Sequence, residues 1–432
     1  MNQNDDFSLN GDTLIYQPYY YGVTIDNYSR RSTPIISNAI TTVMLLQNGS
    51  MISWGGNGTK VPPEIAKLQD IVSISATRYA FAALRANHSV VVWGHEDYGG
   101  QIPPEIAQLQ DIVSISATSG AFAALRSNRS VVAWGIQSGG QLPPTIAKLQ
   151  DIVSLSAAGG AFAALRANRS VVAWAGDWCP GNGGEVPPEI ARLQDIVSLS
   201  ATDSAFAALR ANRSVVAWGR AGEGGLIPPE VAKLKDIVSL SATKGSFAAL
   251  RANRSVVSWG GAHVPPEIAK LQDIVNLSAA DSAFAALRAN RSVVGWGEGG
   301  WGYIPPEIAQ LNDIVSLSAT DFAAFAGLRA DGSVVCWGGR EGGIPSEIAK
   351  LKDLVSLSPA GNCAFAALRA NGSVVAWGPQ GLNVQVPPGI ARLQDIVSLS
   401  SSGRSFSVLR ENGERLAWDV GNDNIVHSEY DD

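Results

Sequence analysis

Residues 196–230 read IVSLSATDSAFAALRANRSVVAWGRAGEGGLIPPE. IVSLSA, β-branched and Leu-rich, reads as a strand; a loop of about three residues follows, then a second strand, AFAALR. AN-RS becomes Asn48-Gly49, Asp331-Gly332 and Asn371-Gly372 in other copies, which predicts a type I′ hairpin turn. SVVAWG is a third strand. A Gly-rich loop then leads to IPPE, extended elsewhere to IPPEIAKLQ. Early Pro and Glu with a late Lys suit one short helical turn there. A brief fourth strand fits just before the Pro pair.

The unit returns along the chain. Aligned on its Trp, the copies fall at Trp54, Trp93, Trp134, Trp174, Trp218, Trp259, Trp296, Trp337, Trp377 and Trp418, spaced 37 to 44 residues apart. That makes ten units, the first (TPIISNAITTVMLLQNGSMISWGG) and the last degraded, as closing units often are. No linker composition interrupts them. Three or four short antiparallel strands per unit predict an all-β fold, a single closed β-propeller of about ten blades. Nine blades plus a degenerate unit, or an open superhelix with exposed edges, are the alternatives. A leucine-rich repeat is too short, at about 20–29 residues, to hold two further strands. The expected domains are an N-terminal extension and closing segment over 1–30, the propeller over 31–418, and an acidic tail over 419–432.

PPEIAKLQDIVSLSATDSAFAALRANRSVVAWG resembles the repeat of the regulator of chromosome condensation family, in its Pro, Ala-Leu, Asn-Gly or Asp-Gly and Val-x-x-Trp-Gly positions. The unit length and WG…GGQLPP (Trp134 to Pro144) resemble most the bacterial type II β-lactamase inhibitory proteins. The resemblance covers about residues 31–418 and implies a seven-bladed propeller that holds a protein on one loop face. This chain has ten units, and Ala161, Ala205 and Ser246 stand where the family usually has His.

Composition bounds the function. Charged residues are 16%, Gly is 45 of 432, and net charge is −6. Phosphate neutralisation needs a basic face, so a nucleic-acid partner is not expected. The polar N-terminus is no secretory signal, and no apolar run of about 18 residues predicts a membrane span. Cys179, Cys336 and Cys363 lack metal-ligand spacing and read as reduced thiols. A cytoplasmic monomer is the expectation, with export by a non-Sec route left open.

If SVVAWG runs upward, the loop after Trp-Gly and the short loop after IVSLSA both emerge on the upper face. The constant hairpin turns lie below. The upper loops hold aromatic and Arg residues of the kinds that anchor interfaces: Arg78, Tyr79, Tyr98, Trp178, Arg220, Trp301, Tyr303, Phe322, Arg340 and Arg404. These are the candidate partner-binding residues. The loops differ from unit to unit, which favours one asymmetric protein partner over repeated sugar pockets. A lectin-like propeller and a regulator of a small GTPase are the alternatives.

Two constant charges sit at the lower end of each hairpin. Arg ends the second strand from Arg85 to Arg410, and Asp precedes the first from Asp70 to Asp395. Both are missing together in the first unit, where Arg31 and Leu46 stand instead, so they read as cross-strand ion pairs. Arg129, Arg169, Arg213, Arg254 and Arg291 occupy the position Gly holds in other turns. They would form a positive arc below, read as copied from one ancestral unit rather than as an anion site. No catalytic motif, cofactor or metal pattern stands out; His95-Glu96-Asp97, in one upper loop, is too crowded to converge on a metal. The chain is therefore not expected to be an enzyme.

Overall fold

The computed structural model describes residues 24–26, 34–135, 139–176, 181–339, 343–361, 363–379, 382, 384–421 and 425–428. Ten small antiparallel sheets follow one another along the chain. Blade 1 spans Ile35–Gly55 and blade 10 spans Ile396–Asp419. A middle blade shows the plan. In blade 5, Ile196–Ala201 pairs with Ala205–Arg210, which pairs with Val215–Gly219. First strands of consecutive blades approach one another while third strands splay apart, so the first strand is innermost and its free edge faces an axial channel.

The alternation of AFAAL explains the packing. Ala and Phe point to opposite blade faces, so a blade offers small residues to one neighbour and a Phe to the other. Between blades 4 and 5, Ala161, Ala163, Leu165 and Val171 meet Ile196, Phe206, Ala208 and Trp218. The helical turn Pro188–Ala191 wedges Ile190 into the same seam. Phe206 stacks on Trp218 at 5.3 Å between ring centroids, and equivalent pairs recur from blade 2 to blade 9.

Blades are also tied by backbone bonds at both ends. Below, the Ile196 N–H of blade 5 donates to the Arg169 carbonyl in the turn of blade 4, at 3.0 Å. Above, the short inner loops join in a belt of backbone hydrogen bonds. Ala39 donates to Arg78, Arg78 to Ser119, Ser119 to Gly159, Gly159 to Asp203, Asp203 to Lys244 and Lys244 to Asp281, at 2.8–3.2 Å.

The ring closes between blades 10 and 1, where a small apolar cluster of Ile35, Met44, Leu46, Trp54 and Ala417 is joined by polar contacts. Ser37 bonds to Ser402, Thr42 to Ser405, and Ser405 to Asp419. The Trp54 indole N–H also donates to Asp419, at 2.6 Å. Buried Arg415 reaches the Leu45 carbonyl. Thr42 stands where other blades carry Phe, and His427 stacks on Trp54 instead, at 4.1 Å. His427–Ser428 pairs with the outer strand of blade 10. Thr24–Asp26 pairs with the inner strand of blade 2.

Two local expectations are corrected. The hairpin turns are not type I′, which needs positive φ at both central residues. Only the fourth residue is left-handed (Arg169 φ 62, Gly332 φ 76), its N–H donates to the first residue's carbonyl, and the turn is type I with a bulge. Asn168 fixes it by accepting from the Ser170 N–H and hydroxyl at 2.9 and 2.7 Å. The brief fourth strand before the Pro pair is not formed among the described residues. That segment runs to the helical turn on the outer side, and the fourth strands present in blades 2 and 10 come from near the chain's two ends.

Candidate functional site

The two variable loops of a blade meet on the upper face. In blade 2 the Thr77 hydroxyl donates to the Tyr98 carbonyl, and the His95 N–H donates to Tyr79, both at 2.8 Å. In blade 5 Thr202 reaches the Glu223 carbonyl and the Arg220 N–H reaches Ser204. The inner loops form an inner rim and the loops after Trp-Gly an outer rim.

The outer loops are anchored at their end. The Trp218 indole N–H donates to the Gly183 carbonyl in the loop of the preceding blade, at 2.9 Å, and Trp134, Trp174 and Trp259 do the same with Gly99, Gly139 and Gly224. These glycines are left-handed (φ 88–99). A Cβ on Gly224 would lie 2.6 Å from the Phe247 ring. So the Gly-Gly that ends the loop is structural, and only the residues between Trp-Gly and Gly-Gly are free to vary. Among the described residues Trp296 and Trp337 find no acceptor, because the loops of blades 6 and 7 depart from this pattern.

The predicted contact residues separate into two groups on roughly opposite sides of the ring. At blades 10, 1 and 2, Arg78 and Arg404 are exposed, and Tyr79 and Tyr98 are half-buried. Tyr79 and Tyr98 meet edge-to-face at 4.8 Å, with Arg78 over Tyr79 at 5.4 Å. Arg404 also donates to the Ala39 carbonyl across the closure, at 2.9 Å, so it serves the seam as well. At blades 7 and 8, Trp301, Tyr303 and Phe322 are 40%, 66% and 48% exposed. Arg220 stands apart on blade 5, exposed and paired with Glu223 at 2.9 Å. Trp178 and Arg340 lie outside the described residues.

A charged cluster at the inner rim was not among the predicted residues. Lys244 of blade 6 pairs with Asp281 of blade 7 and lies 6.0 Å from the ring centre of Phe322. Asp203 of blade 5 sits beside them. Burial, opposed by Lys244 and reinforced by Asp281 and Glu223, pushes the Asp203 carboxyl up to about 7. Asp281 is also raised, first by burial, against its bond to Lys244. The signal was legible: equivalent loop positions in three consecutive units read Asp, Lys, Asp.

On the lower face every expected Asp–Arg pair from blade 2 to blade 10 forms. Arg166 Nε lies 3.1 Å from both Asp151 oxygens, with the terminal nitrogen 2.9 Å from one of them. Leu46 is buried, and Arg31 lies outside the described residues. Arg129, Arg169, Arg213, Arg254 and Arg291 are exposed at φ 61–65.

No family model matches the chain, and no curated protein matches it. Solved β-propeller structures do, at low identity. Prp20p of Saccharomyces cerevisiae, a protein with binding properties to Gsp1p and histones, is 16% identical over 86% of this chain and 85% of its own, with a TM-score of 0.37. The ectodomain of the Physcomitrella patens receptor kinase CR4 is 19% identical over 61% of this chain and 71% of its own, at 0.36. The ectodomain of the Arabidopsis thaliana receptor kinase ACR4 is 18% identical over 61% and 93%, at 0.35.

Proposed function

We propose that the protein is a non-catalytic binding propeller that holds a protein partner on its upper face, in the manner of an inhibitor, immunity protein, effector or adaptor. One observation carries the reading. The segments that vary freely between near-identical repeats converge on one face, and there they expose Trp301, Tyr303 and Phe322, with Lys244 beside Phe322. Large aromatics next to cations are the residues that dominate protein interfaces. An aromatic stands at the fifth position after the repeat Trp in two units, as Tyr98 and Trp301, and not in the other eight, which fits one asymmetric partner better than a set of sugar sites.

The test is affinity capture from native lysate with wild type and with a Trp301→Ala, Tyr303→Ala, Phe322→Ala variant. The variant should keep the wild-type melting temperature. It should lose several kcal/mol of affinity for a captured partner, since such anchors are worth about 2 kcal/mol or more each. A partner held equally well by both would refute the upper-face site.

A further inference from the structure

The channel wall carries a second feature. In blades 4 to 8 the inner strand reads IVSLSA or IVNLSA, and among the described residues no strand pairs with its inner backbone edge. Each inner strand bulges at its Val, so Val153, Val197, Val238, Val275 and Val315 stand 43–52% exposed. Open edges are usually covered, shortened or broken by charge or Pro. From the bulged Val to the end of these five strands there is no charge and no Pro.

Blade 2 shows what such an edge accepts. Thr24–Asp26 pairs with its inner strand in antiparallel register, Thr24 opposite Ser75, Ile25 opposite Ile74 and Asp26 opposite Ser73. Under that strand Ser73, Ile74 and Ser75 are buried and Val72 is half-buried. In blades 4 to 8 the equivalent Val and the residue after it (Ser, or Asn276 in blade 7) are exposed, while the second Ser and Leu155, Leu199, Leu240, Leu277 and Leu317 are half-buried. The added strand also lies against blades 1 and 3. Blades 1, 2 and 3, which the added strand touches, carry Ile (Ile35, Ile74, Ile115) where blades 4 to 10 have Leu, and all three are buried.

We infer that the channel is a docking site for an extended peptide segment of a partner protein, which adds as an antiparallel strand to the inner edge of one of blades 4 to 8. The blades repeat almost residue for residue, so an edge that takes a strand in cis at blade 2 has near-copies that can take one in trans. Main-chain hydrogen bonds supply affinity, and the neutral Val, Ser and Leu wall selects small or β-branched side chains. A Pro in the middle of the peptide is excluded, because it cannot donate to the ladder. This site is separate from the upper-face loops.

The probe is a labelled peptide YGVTIDNYS, the sequence of residues 21–29, titrated into the full chain by fluorescence anisotropy. Saturable binding is expected, weakened at least about tenfold when Pro replaces the Ile of the probe. A Val197→Lys, Val238→Lys, Val275→Lys variant should bind at least about tenfold more weakly, because it breaks the apolar wall. The Trp301→Ala, Tyr303→Ala, Phe322→Ala variant should bind as wild type does, which separates this site from the upper face. A photoreactive form of the probe should cross-link to blades 4 to 8 of the unaltered chain, a readout that needs no variant to fold. Absence of saturable binding, indifference to the Pro or Lys changes, or cross-links confined to blades 1 to 3 would overturn the inference.

Discussion

Gly224 shows how a single residue is fixed. Its φ of 95 and the Phe247 ring 2.6 Å from a built Cβ leave room for nothing larger. Gly224→Ala should lower stability by about 1–3 kcal/mol in urea unfolding, through strain and overpacking together. Arg213 is the opposite case, a long side chain at φ 62 where other turns have Gly. Left-handed backbone costs an L-residue about 1–2 kcal/mol, partly offset by the greater freedom of an unfolded Gly. Arg213→Gly should therefore raise stability by about 0.5–1 kcal/mol in the same assay; no gain would mean that the turn bears no strain. Asp203 makes stability depend on pH. Its carboxyl is raised to about 7, so between about pH 4 and 7 the folded chain holds a proton that the unfolded chain has released. Stability from this group is full below the unfolded value, falls as pH rises through that window and is flat above it. Asp203→Asn should flatten the decline in urea midpoint between pH 5 and 8; an unchanged slope would place its cause elsewhere.

Elements were legible where local chemistry decides them. IVSLSA, AFAALR and SVVAWG are strands because β-branched and small apolar residues alternate between turn signals. The paired Asp and Arg could be matched because both vanish from the same unit. Each pair is bidentate but only about three-quarters buried, so its net worth is small. A double-mutant cycle on Asp151 and Arg166 should give a coupling of about 0.5–1 kcal/mol that shrinks in high salt. A larger, salt-independent value would assign the pair a role beyond the hairpin. The turn type was misread because Asn-Gly serves two geometries. Which one forms depends on whether the left-handed residue's carbonyl must meet the next blade, as Arg169 meets Ile196.

At the scale of the whole molecule the unusual seam is the closure. Nine seams are apolar, filled by Ala, Phe, Trp and Ile; the tenth has a smaller apolar cluster, Ile35, Met44, Leu46, Trp54 and Ala417, and is held as well by Ser, Thr, Asp and Arg side chains. Arg415, 2% exposed, is central to it. Arg415→Ala should cost about 2–4 kcal/mol and lower the melting temperature in one cooperative step, because it leaves the Leu45 carbonyl unsatisfied and a cavity in the seam. Retention of wild-type stability would mean that closure does not limit the ring. By itself the sequence determined the repeat, its three strands, the shared face of the variable loops and the ion pairs, because each depends on residues close along the chain or on copies of one unit. Only the tertiary structure decided ring closure, the covering of blade 2 by Thr24–Asp26, and the Asp203, Lys244 and Asp281 cluster. Those contacts join residues far apart or in different units, and their energy comes from burial and pairing that exist only once the ring has formed.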